Sequence, residues 1–214
     1  TPNVKRALEG LKRLKATGIK LHVDLIAGLP YENFESFGHS FDNVYNLCPQ
    51  EIQLGFLKLL KGTRLRKDAS KYGIVYRSKP PYEILYNNDI SYKELCILKG
   101  IARLIDKYYN TGRFQQSLAY LNKKFKRSFE FYMSFYDYCK ERNLFRVRHS
   151  LKTRYEILFS YAQSLDIDIE LFRDIMKFDF LLTSGKEAPP NFIHPLENRE
   201  FMNKAKEYVY DEKW

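Results

Sequence analysis

The sequence predicts an α/β segment with parallel strands, followed by a mainly helical domain. Three observations carry this prediction. Residues Ile19–Pro30, IKLHVDLIAGLP, alternate apolar and polar side chains and stop at Gly28-Leu29-Pro30. A stretch of helical period separates them from a second strand-like run, Glu51–Lys58. From Ser91 onward the apolar residues recur almost throughout at spacings of three and four.

Val4, Leu8, Leu11 and Leu14 mark an amphipathic first helix closed by Gly18. In the strand that follows, alternate side chains point to opposite faces. Ile19, Leu21, Val23 and Leu25 share an apolar face, while Lys20, His22, Asp24 and Ile26 share the other. A strand with His and Asp on one side suits a sheet whose polar face lines a cavity. Ligands of α/β proteins sit at the carboxyl ends of strands. Asp24 is therefore a candidate ligand-binding carboxylate; the alternative is that it caps a turn or pairs with a nearby lysine.

A helix is predicted from Phe34 to Asn46, with Asn33 as N-cap and Glu35 favourably placed in its first turn. Phe34, Phe37, Phe41, Val44 and Tyr45 share its apolar face, and Cys48-Pro49 stops it. In the second strand Ile52, Leu54 and Phe56 face one way, and Gln53, Gly55 and Leu57 the other. A helical connection of this length between parallel strands is a right-handed crossover.

DLIAGLP at Asp24–Pro30, a helix opening near Glu35-Ser36, Pro49 before the second strand, and KGT at Lys61–Thr63 resemble the second half of a radical S-adenosylmethionine (radical-SAM) barrel. The pattern is similar to that of oxygen-independent coproporphyrinogen oxidases and methylthiotransferases. It most resembles cobalamin-binding radical-SAM proteins of unknown substrate, in which an uncharacterised helical domain follows the barrel. Leu54–Arg66 and Lys71–Leu85 resemble the junction between the two. The resemblance implies an incomplete (βα) barrel segment at residues 1–66, a linker at 67–90 and a helical C-terminal domain at 91–214.

It also implies a site. The position matching Asp24 approaches S-adenosylmethionine in related enzymes, where a carboxylate accepts hydrogen bonds from ribose hydroxyls or a cationic group. Gly28 would let the backbone come close to adenine or ribose. The end of the second strand lines the site in relatives, which points to Lys58. Simple alternation instead puts Lys58 with Ile52 and Leu54, away from the cavity, and suggests Gln53; a bulge or the strand's end could release Lys58.

A radical-SAM enzyme holds its [4Fe–4S] cluster with three cysteines spaced C-x3-C-x2-C. The three cysteines here, Cys48, Cys96 and Cys139, have no such spacing and read as free structural thiols. His22, His39, His149 and His194 are scattered, and a cobalamin-binding signature is absent. The expectation is a fragment of a larger enzyme: it contributes the rear wall of the S-adenosylmethionine site, carries no catalytic or metal-ligating residue and is inactive alone. S-adenosylmethionine, the cluster and cobalamin would belong to the parent, with none bound to the fragment. A partial barrel leaves an open strand edge and an exposed apolar face. The missing N-terminal half is therefore the expected partner, with self-association or rearrangement of the first helix as the way the chain covers itself.

The composition suits a globular protein: 214 residues, 44% hydrophobic and 16% aromatic, so much of the core must be built of rings. No run is long enough to cross a bilayer, and three unpatterned cysteines suggest a reducing, cytoplasmic setting. Gly73 and Pro80-Pro81 fit an extended linker, with a short strand at Gly73–Tyr76. Ser91 with Glu94 forms a capping box before a helix that ends near Asn110. Further helices are predicted near Phe114–Phe125, Ser128–Arg142, Ser150–Gln163, Ile169–Leu182 and Asn198–Tyr208.

The net charge of +10 resides in one stretch: Lys99–Arg154 holds fourteen Lys or Arg against four Asp or Glu. Such a cluster is an electrostatic footprint for phosphates. Interleaved Tyr132, Phe135, Tyr136, Phe145 and Tyr155 could stack on bases. Their helical spacing argues instead for a packed face beneath a solvated basic one. A basic helical module that binds nucleic acid is thus the alternative to an enzyme fragment.

Overall fold

The computed structural model describes residues 4–183 and 189–193. The helix expected at Asn198–Tyr208 lies outside them. The chain forms two compact units: Thr1–Asn110 with Phe125–Asp137, and Thr111–Lys124 with Tyr138–Trp214.

The first unit opens with α1 (Val4–Lys15), which ends on the cations Lys12, Arg13 and Lys15, favourable at the negative end of a helix dipole. Gly18 follows in the left-handed region, φ +77°. The helix is amphipathic as expected, but its apolar stripe is not buried: Leu14 is 46% exposed, and Ile19 beyond it 55%.

β1 (His22–Ala27) pairs in parallel with β2 (Glu51–Phe56), in register from His22 opposite Glu51 to Ala27 opposite Phe56. The crossover is α2 (Phe34–Tyr45), whose first-turn amide on Ser36 is capped by Asn33 Oδ1 at 2.9 Å. Phe37, Phe41, Val44 and Tyr45 are buried along one face, as their spacing predicts. Among the described residues only two strands form this sheet and no barrel closes. Among the described residues no strand lies on the outer edge of β1.

After Phe56 the chain leaves the parallel pairing. Leu57 N still donates to Ala27 O (3.0 Å), but Lys58 then bridges Glu83 antiparallel, and Leu59 N donates to Tyr82 O (2.9 Å). Between lie α3 (Arg64–Lys67), a single 3₁₀ turn (Ala69–Tyr72), and an antiparallel hairpin of β3 (Val75–Tyr76) and β4 (Ile84–Tyr86). This replaces the extended connection that the glycine and prolines suggest. The Arg66 guanidinium pins it, standing 5.1 Å from the Tyr76 ring and 4.9 Å from the Tyr82 ring while donating to Leu59 O.

α4 (Tyr92–Leu104) starts at the predicted capping box: Ser91 Oγ accepts from Glu94 N, and Glu94 accepts from Ser91 N. It runs on into a π turn, Ile105–Tyr109. That wider turn, invisible in the hydrophobic period, brings Tyr109 Oη to Pro49 O (2.6 Å) and the Asn110 amide to β2. α6 (Ser128–Glu141) gives its first ten residues to this unit. Its entry is held on α2 by Asp42, which accepts from Arg127 Nε (2.7 Å) and from Phe129 N (2.8 Å). Gly38 makes room for Phe129, since a Cβ there would stand 2.7 Å from the ring. Phe41, Tyr45, Tyr132, Phe131 and Phe135 pack ring against ring below.

The second unit contains α5 (Gln115–Asn122), the end of α6, α7 (Leu151–Gln163) and α8 (Ile169–Thr183). Asp179 of α8 is buried and accepts from Ser117 N (2.8 Å), Ser117 Oγ (2.7 Å) and Gln116 N (3.1 Å), so it caps α5 from a neighbouring helix. Phe114 packs on Tyr155 at 4.4 Å, and Tyr155 Oη donates to Arg113 O.

The rings singled out for base stacking are in the core. Tyr132, Phe135 and Tyr155 are wholly buried and Tyr136 nearly so; Phe145 is half-buried. Their spacing of three and four sets them on packed helix faces, so none of the four buried rings is available to a base. No helix of the described residues is long and apolar enough to cross a membrane.

Candidate functional site

The exposed face of the two parallel strands is the one on which the sequence places His22 and Asp24. Alternation holds along β1: His22, Asp24 and Ile26 face outward while Val23 and Leu25 are half-buried. In β2 it changes phase. Ile52 and Leu54 are buried, but so are Leu57 and Leu59, because the strand bends at Gly55-Phe56 into its antiparallel partner. This half-step turns Lys58 to the face of Gln53, a direction that simple alternation does not give.

Asp24, Gln53 and Lys58 accordingly line one open pocket of about 340 Å³, with Leu25, Ile26, Gly55, Phe56 and Leu57 as its remaining walls. Asp24 and Gln53 are direct cross-strand neighbours in the parallel register. Gly28 is not among the lining residues. It sits just beyond β1 with φ +89°, and a Cβ there would meet Ile84 Cγ2 at 2.9 Å. Its carbonyl accepts from the Asn87 side chain, and Tyr31 N donates to Asp89 Oδ2 (2.8 Å). The turn after β1 is thus fixed by the Asn87–Asp89 loop.

Electrostatically the strand face beside the pocket is mixed. His22 reaches Asp24 Oδ1 through Nε2 (3.0 Å) and Glu51 Oε2 through Nδ1 (3.4 Å), a bridge between strands. Lys99 pairs with Glu83 and lies 5.3 Å from the ring of Phe56, one of the pocket walls. Sequence reading missed the His22–Glu51 contact, although opposite positions on paired parallel strands were the signal for it. Chemically, the lining offers a carboxylate acceptor, an amide that both donates and accepts, and one ammonium.

The thiols do not converge. Cys48 is exposed in the turn after α2, Cys96 half-buried on α4 and Cys139 buried on α6, all free. Among the described residues no group of three or more His, Cys, Asp or Glu could hold a metal ion. A second hollow of about 380 Å³ is lined by residues 86–92 and Glu94. Its Asn87, Asp89 and Glu94 side chains are spent on the turn after β1 and on the capping box.

No curated protein matches the chain. Residues 70–214 match the family described as a protein of unknown function, DUF4080, and cover more than half of the sequence, while the pocket of Asp24, Gln53 and Lys58 lies ahead of the matched segment. The chain therefore belongs to the DUF4080 family.

Proposed function

We propose that the sheet face carrying Asp24, Gln53 and Lys58 is the rear wall of a nucleoside-binding site in a radical-SAM enzyme. On this reading the DUF4080 segment is the C-terminal domain of that enzyme, and the enzyme is cobalamin-linked. The observation that carries the reading is the convergence of a carboxylate and an amide from the middle of two parallel strands, with an ammonium just beyond the second, on one open pocket.

Asp24 accepts from the paired hydroxyls of a ribose, a charge-assisted contact that fixes the sugar. Gln53, opposite it in register, holds a further ribose or base edge. Lys58 supplies positive charge for a carboxylate of the ligand. Ile26, Phe56 and Leu57 give an apolar surface that excludes water from the adenosine. S-adenosylmethionine bound there would supply a 5′-deoxyadenosyl radical once reduced by a cluster, while the chain binds and orients it. The thiolate triad for that cluster does not fit the residues of this chain and must come from another segment of the enzyme. No residue here is assigned to cobalamin.

The test is calorimetric titration with S-adenosylhomocysteine, using the polypeptide that joins this chain to an upstream C-x3-C-x2-C segment with its cluster restored. Asp24→Ala and Lys58→Ala are expected to weaken binding at least tenfold, and Lys61→Ala, outside the pocket, to leave it within twofold. Wild-type affinity in both pocket variants overturns the assignment, as does the lack of any such cysteine triad in the gene upstream of Thr1.

A further inference from the structure

The densest charge of the second unit lies where α6 ends and α7 begins. Between Tyr138 and Tyr155 the chain carries Lys140, Arg142, Arg146, Arg148, Lys152 and Arg154 against one acid, Glu141. The first five are exposed.

The backbone holds them in a defined loop. α6 stops at a left-handed Asn143 (φ +55°), with Leu144 N donating to Cys139 O (2.9 Å) and Asn143 N to Lys140 O (3.0 Å). That pair of bonds is a Schellman closure. Six residues on, Ser150 Oγ accepts from Thr153 N (3.1 Å) and starts α7. His149 Nε2 lies 2.7 Å from Leu144 O and ties the two ends of the loop together.

Internal pairing leaves much of this charge uncompensated. Glu141 stands 3.5 Å from Arg142, whose guanidinium also covers the Tyr138 ring at 3.8 Å. Arg146 and Arg148 have no carboxylate within ion-pair distance among the described residues. The first turn of α7 has no acid to offset its positive dipole end. Like charges gathered in one short segment repel one another, and a polyanion relieves that repulsion.

We propose that this loop, with the flanking turns of α6 and α7, is a docking surface for the phosphate backbone of a nucleic acid, bound without regard to sequence. Guanidinium groups predominate, and their planar forks fit phosphate oxygens. A lipid surface would need apolar anchors beside the charge, and Val147 is the one large exposed hydrophobic side chain of the loop. Sequence readout would need fully exposed rings or base-edge donors in a groove; Tyr155 is buried, Phe145 is half-buried, and half-buried Tyr138 is covered by Arg142. The surface shares no residue with the nucleoside pocket, so the two proposals are tested independently.

The test is fluorescence anisotropy with labelled 20-nucleotide single-stranded RNA of mixed sequence and with oligo-U, using the whole chain. Both RNAs should bind alike at low salt. About four neutralised phosphates predict a slope of roughly −3 for log affinity against log salt. Arg146→Glu with Arg148→Glu should weaken binding at least tenfold, and Arg146→Gln with Arg148→Gln by a smaller factor. Lys12→Glu with Arg13→Glu, equal in charge change but on α1, should stay within threefold. Circular dichroism melting confirms that the exposed-loop variants fold. Absence of binding at low salt overturns the proposal. So does equal loss with the α1 control, or loop-dependent binding to phosphatidylserine vesicles in place of RNA.

Discussion

The side-chain amide of Asn110 makes both backbone hydrogen bonds of Ile52: Oδ1 accepts from Ile52 N and Nδ2 donates to Ile52 O, each at 3.0 Å. One residue thus does for the outer edge of β2 what a neighbouring strand would do. Ile52 is completely buried, so water does not replace a lost partner cheaply. Asn110→Ala is expected to destabilise the protein by about 1–3 kcal/mol, the cost of orphaned buried polar groups. Asn110→Asp should be worse at neutral pH, because a carboxylate then faces the Ile52 carbonyl, and should recover in part as acid protonates it. Urea denaturation followed by circular dichroism measures both, and a midpoint unchanged in Asn110→Ala would remove Asn110 from the sheet's support.

Gly100 and Tyr136 meet where α4 crosses α6. An ideal Cβ at Gly100 would stand 2.1 Å from the ring of Tyr136, which is 7% exposed and cannot simply swing away. Gly100→Ala should therefore cost about 1–3 kcal/mol by overpacking, against the usual gain in helix propensity. Tyr136→Leu in the same chain should return part of that loss, a coupling that a double-mutant cycle reads directly. Additive effects of the two changes would contradict a steric origin.

How much of this could be read in advance depends on how local each cause is. The strand–helix–strand order, the Ser91–Glu94 capping box and the buried face of α2 follow from spacing alone, and the structure has all three. Asp24 on the outward face follows from alternation. Lys58 does not, because its direction is set by a partner, Glu83, twenty-five residues on, which pulls β2 out of phase. Asn110 was equally opaque: its role depends on a π turn that leaves no periodic trace. Asp179 did leave a signal, for it lies three residues after Met176 and seven after Phe172, on the buried stripe of α8. The amphipathicity of α1 is legible, but not how far its stripe is covered: Leu8 and Leu11 are half-buried and Leu14 is exposed.

Arg127 fastens the entry of α6 to α2 through Asp42 and, on the surface, through Glu35. Hydrogen bonding and attraction from Arg127 hold the Glu35 carboxyl below its ordinary value of 4.5. A carboxyl depressed in the folded state adds stability above its unfolded pKa, and that contribution is lost as pH falls through the folded value. Arg127→Leu should thus be less stable than wild type at neutral pH, and the gap should narrow on acidification from about pH 6 to about pH 3. Thermal melts of both proteins across this range test it. A gap that widens toward acid would contradict the assigned sign.

Asp179 has the opposite sign. Burial pushes its carboxyl above the ordinary 3.8, while bonds from Ser117 and Gln116 pull it partly back. The folded state therefore holds the proton more tightly than the unfolded chain does. Stability from this group is fully present below the unfolded pKa and is lost as pH rises through the folded one. An asparagine at this position is neutral at every pH and lacks that dependence. Asp179→Asn should carry a pH-independent loss, since one amide oxygen replaces two acceptors, and the total difference from wild type should shift in favour of the variant between about pH 3 and pH 6. Asp179→Ala removes the cap of α5 altogether and should cost about 1–2 kcal/mol at the acid end of that range and less as pH rises. Urea midpoints of the three proteins, measured at several pH values, decide the matter. If wild type instead gains on Asp179→Asn as pH rises, the carboxylate is favoured as an anion at the end of α5, and desolvation is not the dominant effect there.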